Sequence, residues 1–521
     1  AKKQHTRLIV LEPKRGTIFD RHGRPLAINL PAYSLYANPK SMSEEDKERA
    51  VEILSRQFGF NKSFVQDRLD KEKYFIWLER KMPQELYEQI KAYKLKGIEF
   101  IKESKRFYPN KTLAAHVIGF AGIDNNGLEG MELRLDRYLK GKEGMSQILR
   151  DAHQRELLIE KNYVAPQDGF NVTLTIDETI QYIAERALEA GFKKHNAKGA
   201  SIVVLNPKTG EILALANQPT YNLEDSTTAR PENKTNRAVA YTYEPGSVFK
   251  IVAASAALEE NVVKEDDIIF CENGSYKVGN HYLKDHESEG NLTFKQVIEK
   301  SSNIGTTKVA QRLGPGRYYK YAHKFRFGIR TGVDIPGEVG GWLKPPAQWS
   351  KTTIGAIPIG QEVTVTPLQL ASAIAAIAND GIFMKPYVIK EIKDSHDQII
   401  ESFGPQEVDR VISSETDKRV KEILRGVVEE GTGRKAKIKG ISVGGKTGTG
   451  QKVEGGTYSH SKFYATFVGF APVEDPKLAA VVVFDEPHPA YYGGTVAAPV
   501  FQEVIDNSLK YLSTLEAGSD Y

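Results

Sequence analysis

A serine and a lysine three residues apart could supply a nucleophile and its base in this chain of 521 residues. The segment 244–254 reads EPGSVFKIVAA, in which proline and glycine favour a turn and the following residues favour a helix. Ser247 would then begin the helix, and Lys250 would lie one turn later on the same face. A serine hydroxyl is a good nucleophile only when a base takes its proton, and a lysine whose pKa is lowered by burial can do this near neutral pH. The sequence therefore predicts Ser247 as the nucleophile and Lys250 as its base.

Two other short patterns of the same kind are predicted to be structural. Ser459 and Lys462 repeat the spacing, but they lie in a polar loop that leads into a predicted strand, 463–470, where successive side chains would face opposite sides. The Lys-Thr-Gly triplet at 208–210 follows an Asn-Pro pair and is typical of a hairpin turn. Neither pattern is expected to carry chemistry.

Two further segments could complete a site with Ser247. A second Lys-Thr-Gly triplet, Lys446-Thr447-Gly448, lies in the glycine-rich stretch 444–450, where missing side chains would let a ligand approach the backbone. Ser301-Ser302-Asn303 is the only Ser-x-Asn triplet in the chain and falls inside 293–313, which is predicted to be mostly helical. Residues two apart on a helix point away from each other. If the first and third residues of this triplet serve one site, the helix should therefore break there.

The order of the three segments is more specific than any one of them. Ser301 follows Ser247 by 54 residues, and Lys446 follows Ser301 by 145 residues. Ser-x-x-Lys, Ser-x-Asn and Lys-Thr-Gly in this order resemble the set found in serine β-lactamases and penicillin-binding proteins.

The flanking sequence resembles the class B penicillin-binding proteins along nearly the whole chain, and particularly their division-type members, which are FtsI-like and SpoVD-like. The segments that carry this resemblance are 15–21 (RGTIFDR), 106–109 (RFYP), 115–120 (AHVIGF), 127–132 (GLEGME) and 491–501 (YYGGTVAAPVF). The resemblance implies a serine-type D-Ala-D-Ala transpeptidase that cross-links peptidoglycan stem peptides in septal cell-wall synthesis and is covalently inhibited by β-lactams.

The resemblance also implies roles for individual residues. Ser247 would attack the penultimate D-Ala carbonyl of a stem pentapeptide, with Lys250 as base, and terminal D-Ala would leave. The backbone N–H groups of Ser247 and Thr449 would form the oxyanion hole. Ser301 would relay a proton to the leaving amine near Lys446, and an amine of a neighbouring stem would then attack the ester.

Substrate binding is assigned by the same resemblance to the triplets that follow the nucleophile. Asn303 would bind the substrate amide, while Lys446, Thr447 and Thr449 would hold the terminal carboxylate. Gly448 belongs to the same substrate-binding segment. Thr447 stands where some relatives carry serine, and this change keeps the hydroxyl.

No metal or other cofactor is expected, whereas several partners are implied by the resemblance. These are the stem-pentapeptide donor, an amine acceptor, β-lactam inhibitors, a SEDS-type (FtsW-like) glycosyltransferase and other division proteins. The implied location is the extracytoplasmic side of the cytoplasmic membrane, with a single N-terminal anchor that is absent from this chain. We expect the segment 15–20 to face the glycosyltransferase.

Composition argues against several other classes of protein. The chain has 71 Lys and Arg residues against 67 Asp and Glu residues, and a net charge of +4 lacks the basic excess typical of nucleic-acid binding. The single cysteine, Cys271, excludes an intrachain disulfide. Cys271, His281, Asp285 and His286 are close in sequence, but their spacing matches no standard zinc finger.

The expected fold class is α+β. A penicillin-binding transpeptidase domain, 169–521, with an antiparallel sheet flanked by helices, would follow an elongated N-terminal pedestal domain, 1–168, with a helical insertion. Alternating strands on both sides of a turn predict hairpins over 200–216 and 463–484. The final helix is predicted to begin at Ala498-Pro499 and to end near Leu512, because proline suits a first helical turn.

Three alternative functions stay open. An elongation-type class B transpeptidase would show the same site. A serine β-lactamase would need a base for the hydrolytic water, and no Glu-x-x-Leu-Asn pattern lies between Asn303 and Lys446. A β-lactam sensor would not need all four of Ser247, Lys250, Ser301 and Lys446. The sequence leaves the acceptor amine, diaminopimelate or lysine, undetermined.

Overall fold

The computed structural model describes residues 5–150, 156–157 and 163–518. The first third of the chain contains the strands β1 (His5–Leu11), β2 (Ile18–Phe19), β3 (Pro25–Ala37), β4 (Ile76–Met82), β5 (Ile98–Phe107), β6 (Gly144–Arg150) and β7 (Glu156–Leu157). Its helices are α1 (Glu44–Phe58), α2 (Lys62–Leu69), α3 (Gln84–Ala92), α4 (Ala115–Ile118), α5 (Gly130–Arg134) and α6 (Asp136–Leu139).

The rest of the chain alternates helices and strands. Its strands are β8 (Asn171–Leu174), β9 (Gly199–Leu205), β10 (Ile212–Gln218), β11 (Ile268–Phe270), β12 (Ser275–Val278), β13 (His281–Lys284), β14 (Asn291–Thr293), β15 (Trp342–Leu343), β16 (Val363–Thr364), β17 (Ile382–Met384), β18 (Ile389–Lys393), β19 (Ile399–Ser402), β20 (Glu407–Arg410), β21 (Gly444–Glu454), β22 (Thr457–Ala471) and β23 (Leu478–Asp485). Its helices are α7 (Glu178–Lys194), α8 (Pro231–Lys234), α9 (Arg237–Ala240), α10 (Lys250–Glu259), α11 (Phe294–Glu299), α12 (Asn303–Leu313), α13 (Pro315–Lys324), α14 (Thr353–Ala356), α15 (Pro367–Ala378), α16 (Ser414–Glu429) and α17 (Gly493–Gly518). Within the described ranges, no helix is both long and apolar enough to cross a membrane.

A five-stranded antiparallel sheet forms the centre of this second part, in the order β10-β9-β23-β22-β21. Both predicted hairpins are present, and they meet where β9 pairs with β23. Side chains of β9 alternate between two cores, because Ile202 and Val204 pack with α7 and α17 whereas Val203 and Leu205 pack with the core that contains α10 and α15. The predicted α+β class, an antiparallel sheet flanked by helices, is confirmed. β21 lies at one edge of this sheet.

The final helix differs from its prediction. α17 begins at Gly493 and contains Pro499 in its interior, so the predicted start at Ala498-Pro499 was wrong. Proline removes one hydrogen-bond donor from the helix. Val496, Ala497 and Ala498 are all fully buried, and their packing offsets that loss.

The pedestal strands carry the predicted helical insertion. β3 pairs with β4 and β5, and helices α1, α2 and α3 lie in the connections between these strands. Ser43 begins α1 with a capping box in which its hydroxyl accepts from the Asp46 backbone and the Asp46 carboxylate accepts from the Ser43 backbone. This local signal explains why the helix was predictable from sequence.

One sheet takes strands from both sides of residue 168. β2 pairs with β3 on one side and, in parallel, with β8 on the other, and β8 pairs with β18. A continuous apolar core accompanies this sheet, since Ile18 and Val172 belong to the same buried cluster. The domain boundary between 168 and 169 therefore stays a prediction, within a structure whose sheet crosses it.

Three of the sequence segments that suggested a family meet in a buried ion-pair network. Arg15 Nε lies 2.7 Å from Glu132 Oε2, and Arg106 Nε lies 2.6 Å from Glu132 Oε1. Arg15 and Asp20 are 2% and 0% exposed. Arg15 and Asp20 are therefore not available to a partner protein, whereas Thr17 and Phe19 of the same segment are half-buried. That the segment 15–20 faces the glycosyltransferase stays a prediction.

Candidate active site

Ser247 lies in a single 3₁₀ turn, Gly246–Phe249, that runs directly into α10. The predicted α-helix over this segment thus starts one turn later than expected. Ser247 is half-buried, whereas Lys250, the first residue of α10, is fully buried. The predicted nucleophile therefore lies at a partly exposed position, and the predicted base lies in the interior.

Glycines allow the Ser247 turn to lie against the edge strand β21. A Cβ atom at Gly246, whose φ is +60°, would lie 2.6 Å from the carbonyl oxygen of Thr449. A Cβ atom at Gly448 would lie 2.7 Å from the carbonyl oxygen of Pro245. Larger residues at either position would push the turn away from the strand. The glycines of both segments thus bring Ser247, the predicted nucleophile, beside the Lys-Thr-Gly triplet.

The predicted helix break at the Ser-x-Asn triplet is present. α11 ends at Glu299 and α12 begins at Asn303. Between them Ser301 adopts a left-handed conformation with φ of +63°, which is strained for a residue other than glycine. The break confirms the condition that the sequence set for Ser301 and Asn303 to serve one site.

Asp285 holds this break in place, and its role was not predicted from the sequence. Its carboxylate accepts hydrogen bonds from the backbone N–H groups of Asn303 at 2.6 Å and Ile304 at 3.0 Å, and from Ser302 Oγ at 2.5 Å. A carboxylate at a helix N-terminus satisfies free N–H groups and favours the helix dipole. From the sequence, Asp285 was considered only as a possible metal ligand, because the helix it caps begins 18 residues later.

The two predicted lysines converge on the hydroxyl of Ser301. Lys250 Nζ lies 3.2 Å from Ser301 Oγ, and it donates to Ser301 O at 2.5 Å and to Asn303 Oδ1 at 2.8 Å. Lys446 Nζ donates to Ser301 Oγ at 2.9 Å. Four residues from three segments that are distant in sequence therefore form one hydrogen-bonded network.

Burial of these lysines disfavours their charged forms. It lowers the pKa of Lys446 to about 7. Burial also lowers the pKa of Lys250 well below its ordinary value, and the neighbouring Lys446 ammonium lowers it further, while the Asp285 carboxylate acts in the opposite direction. A neutral amine can accept a proton, so this site has the electrostatics of a base near neutral pH.

The predicted nucleophile, Ser247, makes no hydrogen bond through its hydroxyl to Lys250 or to any other residue within the described ranges. Catalytic hydrogen bonds are often long in a ligand-free site and tighten when substrate binds. Ser247 as a residue is half-buried, which suits its predicted role.

The hydroxyls of the Lys-Thr-Gly-Thr segment already have partners. Thr447 Oγ1 lies 2.6 Å from Thr432 Oγ1, and Thr449 Oγ1 accepts from the backbone N–H of Gly493 at 3.3 Å. Because β21 pairs only with β22 among the described strands, the opposite edge of β21 is available for a ligand backbone. Thr432 is a further candidate residue that sequence patterns gave no signal for.

The residues weighed as metal ligands do not form one cluster. Cys271 is buried and accepts from Ser302 Oγ at 3.4 Å, while Asp285 binds the start of α12. His286 Nε2 instead lies 2.9 Å from the hydroxyl of Tyr492. Over the described residues, no three His, Cys, Asp or Glu side chains are placed to hold a metal ion.

The rival patterns lie elsewhere in the structure. Ser459 and Lys462 are inside strand β22, not in a loop before it as predicted, and Lys462 forms an ion pair with Glu454. Because residues three apart in a strand face opposite sides of the sheet, the side chains of Ser459 and Lys462 still point apart, as predicted. The triplet 208–210 is the turn between β9 and β10, which confirms that prediction.

Two family models match this chain. The penicillin binding protein transpeptidase domain matches residues 200–506, which include every candidate residue of the site. The penicillin-binding protein dimerisation domain matches residues 10–174.

Similar proteins are known along nearly the whole length. Stage V sporulation protein D of Bacillus subtilis is 36% identical over 98% of this chain and 80% of its own length. Peptidoglycan D,D-transpeptidase FtsI of Escherichia coli is 31% identical over 96% of this chain and 84% of its own length. The crystal structure of penicillin binding protein 3 of Mycobacterium tuberculosis complexed with ampicillin is similar with a TM-score of 0.77 at 30% identity, covering 97% of this chain and 96% of that chain.

The lowered pKa of Lys446 predicts a pH-dependent stability. Between about pH 7 and pH 10.4 the unfolded chain holds a proton on this lysine that the folded chain has lost, so the free energy of unfolding should rise with pH in this window. Lys446→Met removes this contribution. The free energy of unfolding of the variant minus that of the wild type should therefore fall as pH rises, by up to about 1.4 kcal/mol per pH unit.

Urea unfolding at several pH values between 7 and 10 measures this difference. Lys439→Met, which replaces an exposed lysine, is the matched control and should show a constant difference from the wild type. A constant difference for Lys446→Met as well would mean that its amine keeps an ordinary pKa in the folded protein.

Proposed function

The chain belongs to the class B penicillin-binding proteins, and we propose that it is a peptidoglycan D,D-transpeptidase that works through a serine acyl-enzyme. The observation that carries the mechanism is the convergence of Lys250 and Lys446 on the Ser301 hydroxyl beside the Ser247 turn. Relatives named as peptidoglycan D,D-transpeptidases and a β-lactam complex of a similar structure support the substrate and the inhibitors.

The first half-reaction acylates the nucleophile. Neutral Lys250 takes the proton of Ser247 Oγ, which attacks the penultimate D-Ala carbonyl of a stem pentapeptide. The backbone N–H groups of Ser247 and Thr449 stabilise the oxyanion, an effect typically worth about 3–4 kcal/mol per donor. The C–N bond then breaks, and Ser301 passes the proton that Lys250 took up to the departing amine of D-Ala.

Binding of the substrate carboxylate gives the two lysines different protonation states and different roles. A carboxylate held by Lys446, Thr447 and Thr449 would raise the lowered pKa of Lys446 and favour its ammonium form. That positive charge keeps the pKa of Lys250 low, so Lys250 stays available as the base. The two threonine hydroxyls would exchange their present partners for the ligand. Asn303 orients the substrate amide, and Gly448 leaves room for the substrate backbone.

The second half-reaction releases the product. An amine of a neighbouring stem peptide attacks the ester carbonyl, its proton passes to the same network, and Ser247 regains its hydroxyl. A β-lactam ring opened by Ser247 keeps its leaving group attached, so a long-lived ester results. This slow release distinguishes a transpeptidase from a β-lactamase, which would hydrolyse the ester quickly.

The cellular setting is part of the proposal. Similarity to FtsI and to stage V sporulation protein D favours septal synthesis over an elongation role. We therefore propose an extracytoplasmic enzyme with one N-terminal membrane anchor, which works with a SEDS-type (FtsW-like) glycosyltransferase and other division proteins. Residues 1–168 would form the pedestal and 169–521 the transpeptidase domain. Within the segment 15–20, Thr17 and Phe19 are the half-buried residues that could contact the glycosyltransferase, because Arg15 and Asp20 are buried.

Ser247→Ala should abolish covalent labelling by a fluorescent penicillin, whereas Ser459→Ala should leave it unchanged. Only Ser247 lies beside a buried lysine, since Lys462 is ion-paired with Glu454 at the surface. Gel fluorescence and mass spectrometry of the intact protein measure the adduct.

The lifetime of the wild-type adduct is measured in the same experiment. We expect an ester that persists for hours. A β-lactam adduct on Ser459, or turnover of the adduct within seconds, would contradict the proposed function.

Lys250→Ala and Lys446→Ala should fail in different ways. Without its base the first variant should be nearly inactive towards every β-lactam. The second should lose about 10- to 150-fold in acylation efficiency, as expected when a charge-assisted contact worth about 1.5–3 kcal/mol is removed. This loss should shrink for a ligand without a carboxylate, because that ligand never used the contact.

Second-order acylation rates with a matched pair of ligands, one carboxylate and one neutral, separate the two roles. Melting temperatures of both variants serve as the control for folding. Equal losses on both ligands for Lys446→Ala would show that Lys446 works on the proton path through Ser301 and does not hold the carboxylate.

A further inference from the structure

A pair of side chains connects the two walls of the candidate active site. His286 Nε2 lies 2.9 Å from the Tyr492 hydroxyl, and the two rings meet edge to face with centroids 5.2 Å apart. Neither residue belongs to the catalytic triplets. We call this contact the His286–Tyr492 bridge.

His286 is attached to the wall that carries Ser301 and Asn303. Its neighbour Asp285 binds the backbone N–H of Asn303 at 2.6 Å, and Lys284 O accepts from Asn303 Nδ2 at 2.8 Å. The two residues that precede His286 therefore both bind Asn303, and they fix the position of His286 relative to the Ser-x-Asn triplet.

Tyr492 is attached to the opposite wall, which is strand β21. The next residue, Gly493, donates its backbone N–H to Thr449 Oγ1 at 3.3 Å. A Cβ atom at Gly493 would lie 2.4 Å from the carbonyl oxygen of Gly448, so this backbone lies directly on the strand. The bridge thus joins the two walls between which the substrate would lie.

Aromatic stacking supports the tyrosine side of the bridge. Tyr491 lies between Tyr492 and Phe463, with ring centroids 4.4 Å and 4.2 Å away. The Tyr491 hydroxyl donates to the Tyr492 hydroxyl at 3.2 Å, which leaves the Tyr492 proton free to be donated to His286 Nε2. These contacts hold the tyrosine ring in one orientation towards the histidine.

We propose that the His286–Tyr492 bridge closes the amine side of the site and sets how the acyl-enzyme divides between an acceptor amine and water. This inference rests on the proposed function. The leaving D-Ala amine and the incoming acceptor amine must occupy the same place beside Ser301, because each forms or breaks the same C–N bond at the same carbonyl. The bridge joins the walls on both sides of that place.

The acyl-enzyme has two fates, which differ in the group that attacks the ester. In the productive reaction the acyl C–O bond to Ser247 breaks, a C–N bond to the acceptor forms, and the amine proton returns to the serine through the lysine network. In the wasteful reaction water replaces the amine and a free acid results. When the bridge is closed, water is excluded from the ester. When the bridge is lost, water reaches the ester more often while the acceptor amine keeps its place beside Ser301, so hydrolysis gains on aminolysis.

The contact is suited to opening and closing. Tyr492 is 42% exposed and His286 is also exposed, so one hydrogen bond between solvent-accessible rings can be exchanged for water at small cost. Its two anchors, at Asn303 and at Thr449, are by contrast held by backbone hydrogen bonds. Opening therefore needs only side-chain rotation.

Tyr492→Phe, His286→Ala and the double variant test the bridge. Strand β13 supplies matched controls, Tyr282→Phe and His281→Ala, which change the same residue types at exposed positions. The assay uses a thioester analogue of the stem-peptide donor with and without a D-amino acid acceptor. The measured quantity is the ratio of hydrolysis to aminolysis, and the acylation rate with a small penicillin reports whether each variant keeps a folded site.

Each single variant should raise the ratio about two- to tenfold, the range expected for loss of one hydrogen bond. The double variant should add nothing to the larger single effect, because both changes remove the same contact. An unchanged ratio, additive effects, or an equal rise in the controls would overturn the bridge while leaving the proposed function intact. A wild-type protein that forms no acyl-enzyme on Ser247 would overturn the proposed function, and the bridge with it.

Discussion

Burial of two lysines against one serine hydroxyl is the constraint on which the rest of the site depends. Lys250 and Lys446 are both fully buried and both contact Ser301 Oγ, at 3.2 Å and 2.9 Å. Two ammonium groups this close in a closed interior would repel each other and lose hydration, so at least one amine is readily neutral. The same arrangement that costs stability thereby creates a base near neutral pH. Stability and function are opposed at this point, as is common where a site stores strained or desolvated groups.

Each structural element around the lysines serves to bring them together. The left-handed residue Ser301 lies in the break between α11 and α12, and its hydroxyl contacts both lysines. Asp285, which follows β13, binds the start of α12 and keeps the break in place. Gly246 and Gly448 let the nucleophile turn touch the edge strand without a side chain between them. The five-stranded sheet then places Lys446 at its edge, where a ligand can still reach the backbone. The edge of the sheet, the turn at Ser247 and the helix break at Ser301 thus together place the two lysines in one site.

Sequence could predict the chemistry and much of the local structure, because these depend on short patterns. The break at Ser301 was predictable from chemistry alone, since a continuous helix would separate it from Asn303. Asp285 was missed as a cap because a side chain 18 residues away gives no local signal. The start of α17 was misplaced because the burial of Val496 and its neighbours, a tertiary effect, outweighs the proline preference. The ion pair of Arg15 with Glu132 was likewise not predictable, because the two residues are distant in sequence.

The protonation states of Lys250 and Lys446 in the folded protein decide whether burial makes this site a base near neutral pH. Isotope labelling of lysine side chains and NMR titration, with Lys446→Met used for assignment, report the pKa of each amine in the folded protein. Because both amines are buried, we expect the pKa of Lys446 at about 7 and the pKa of Lys250 well below its ordinary value. Adding a ligand that carries a D-Ala carboxylate should raise the pKa of Lys446 and leave Lys250 neutral. Titration of both amines together with the exposed lysines, near pH 10.4, would contradict the account.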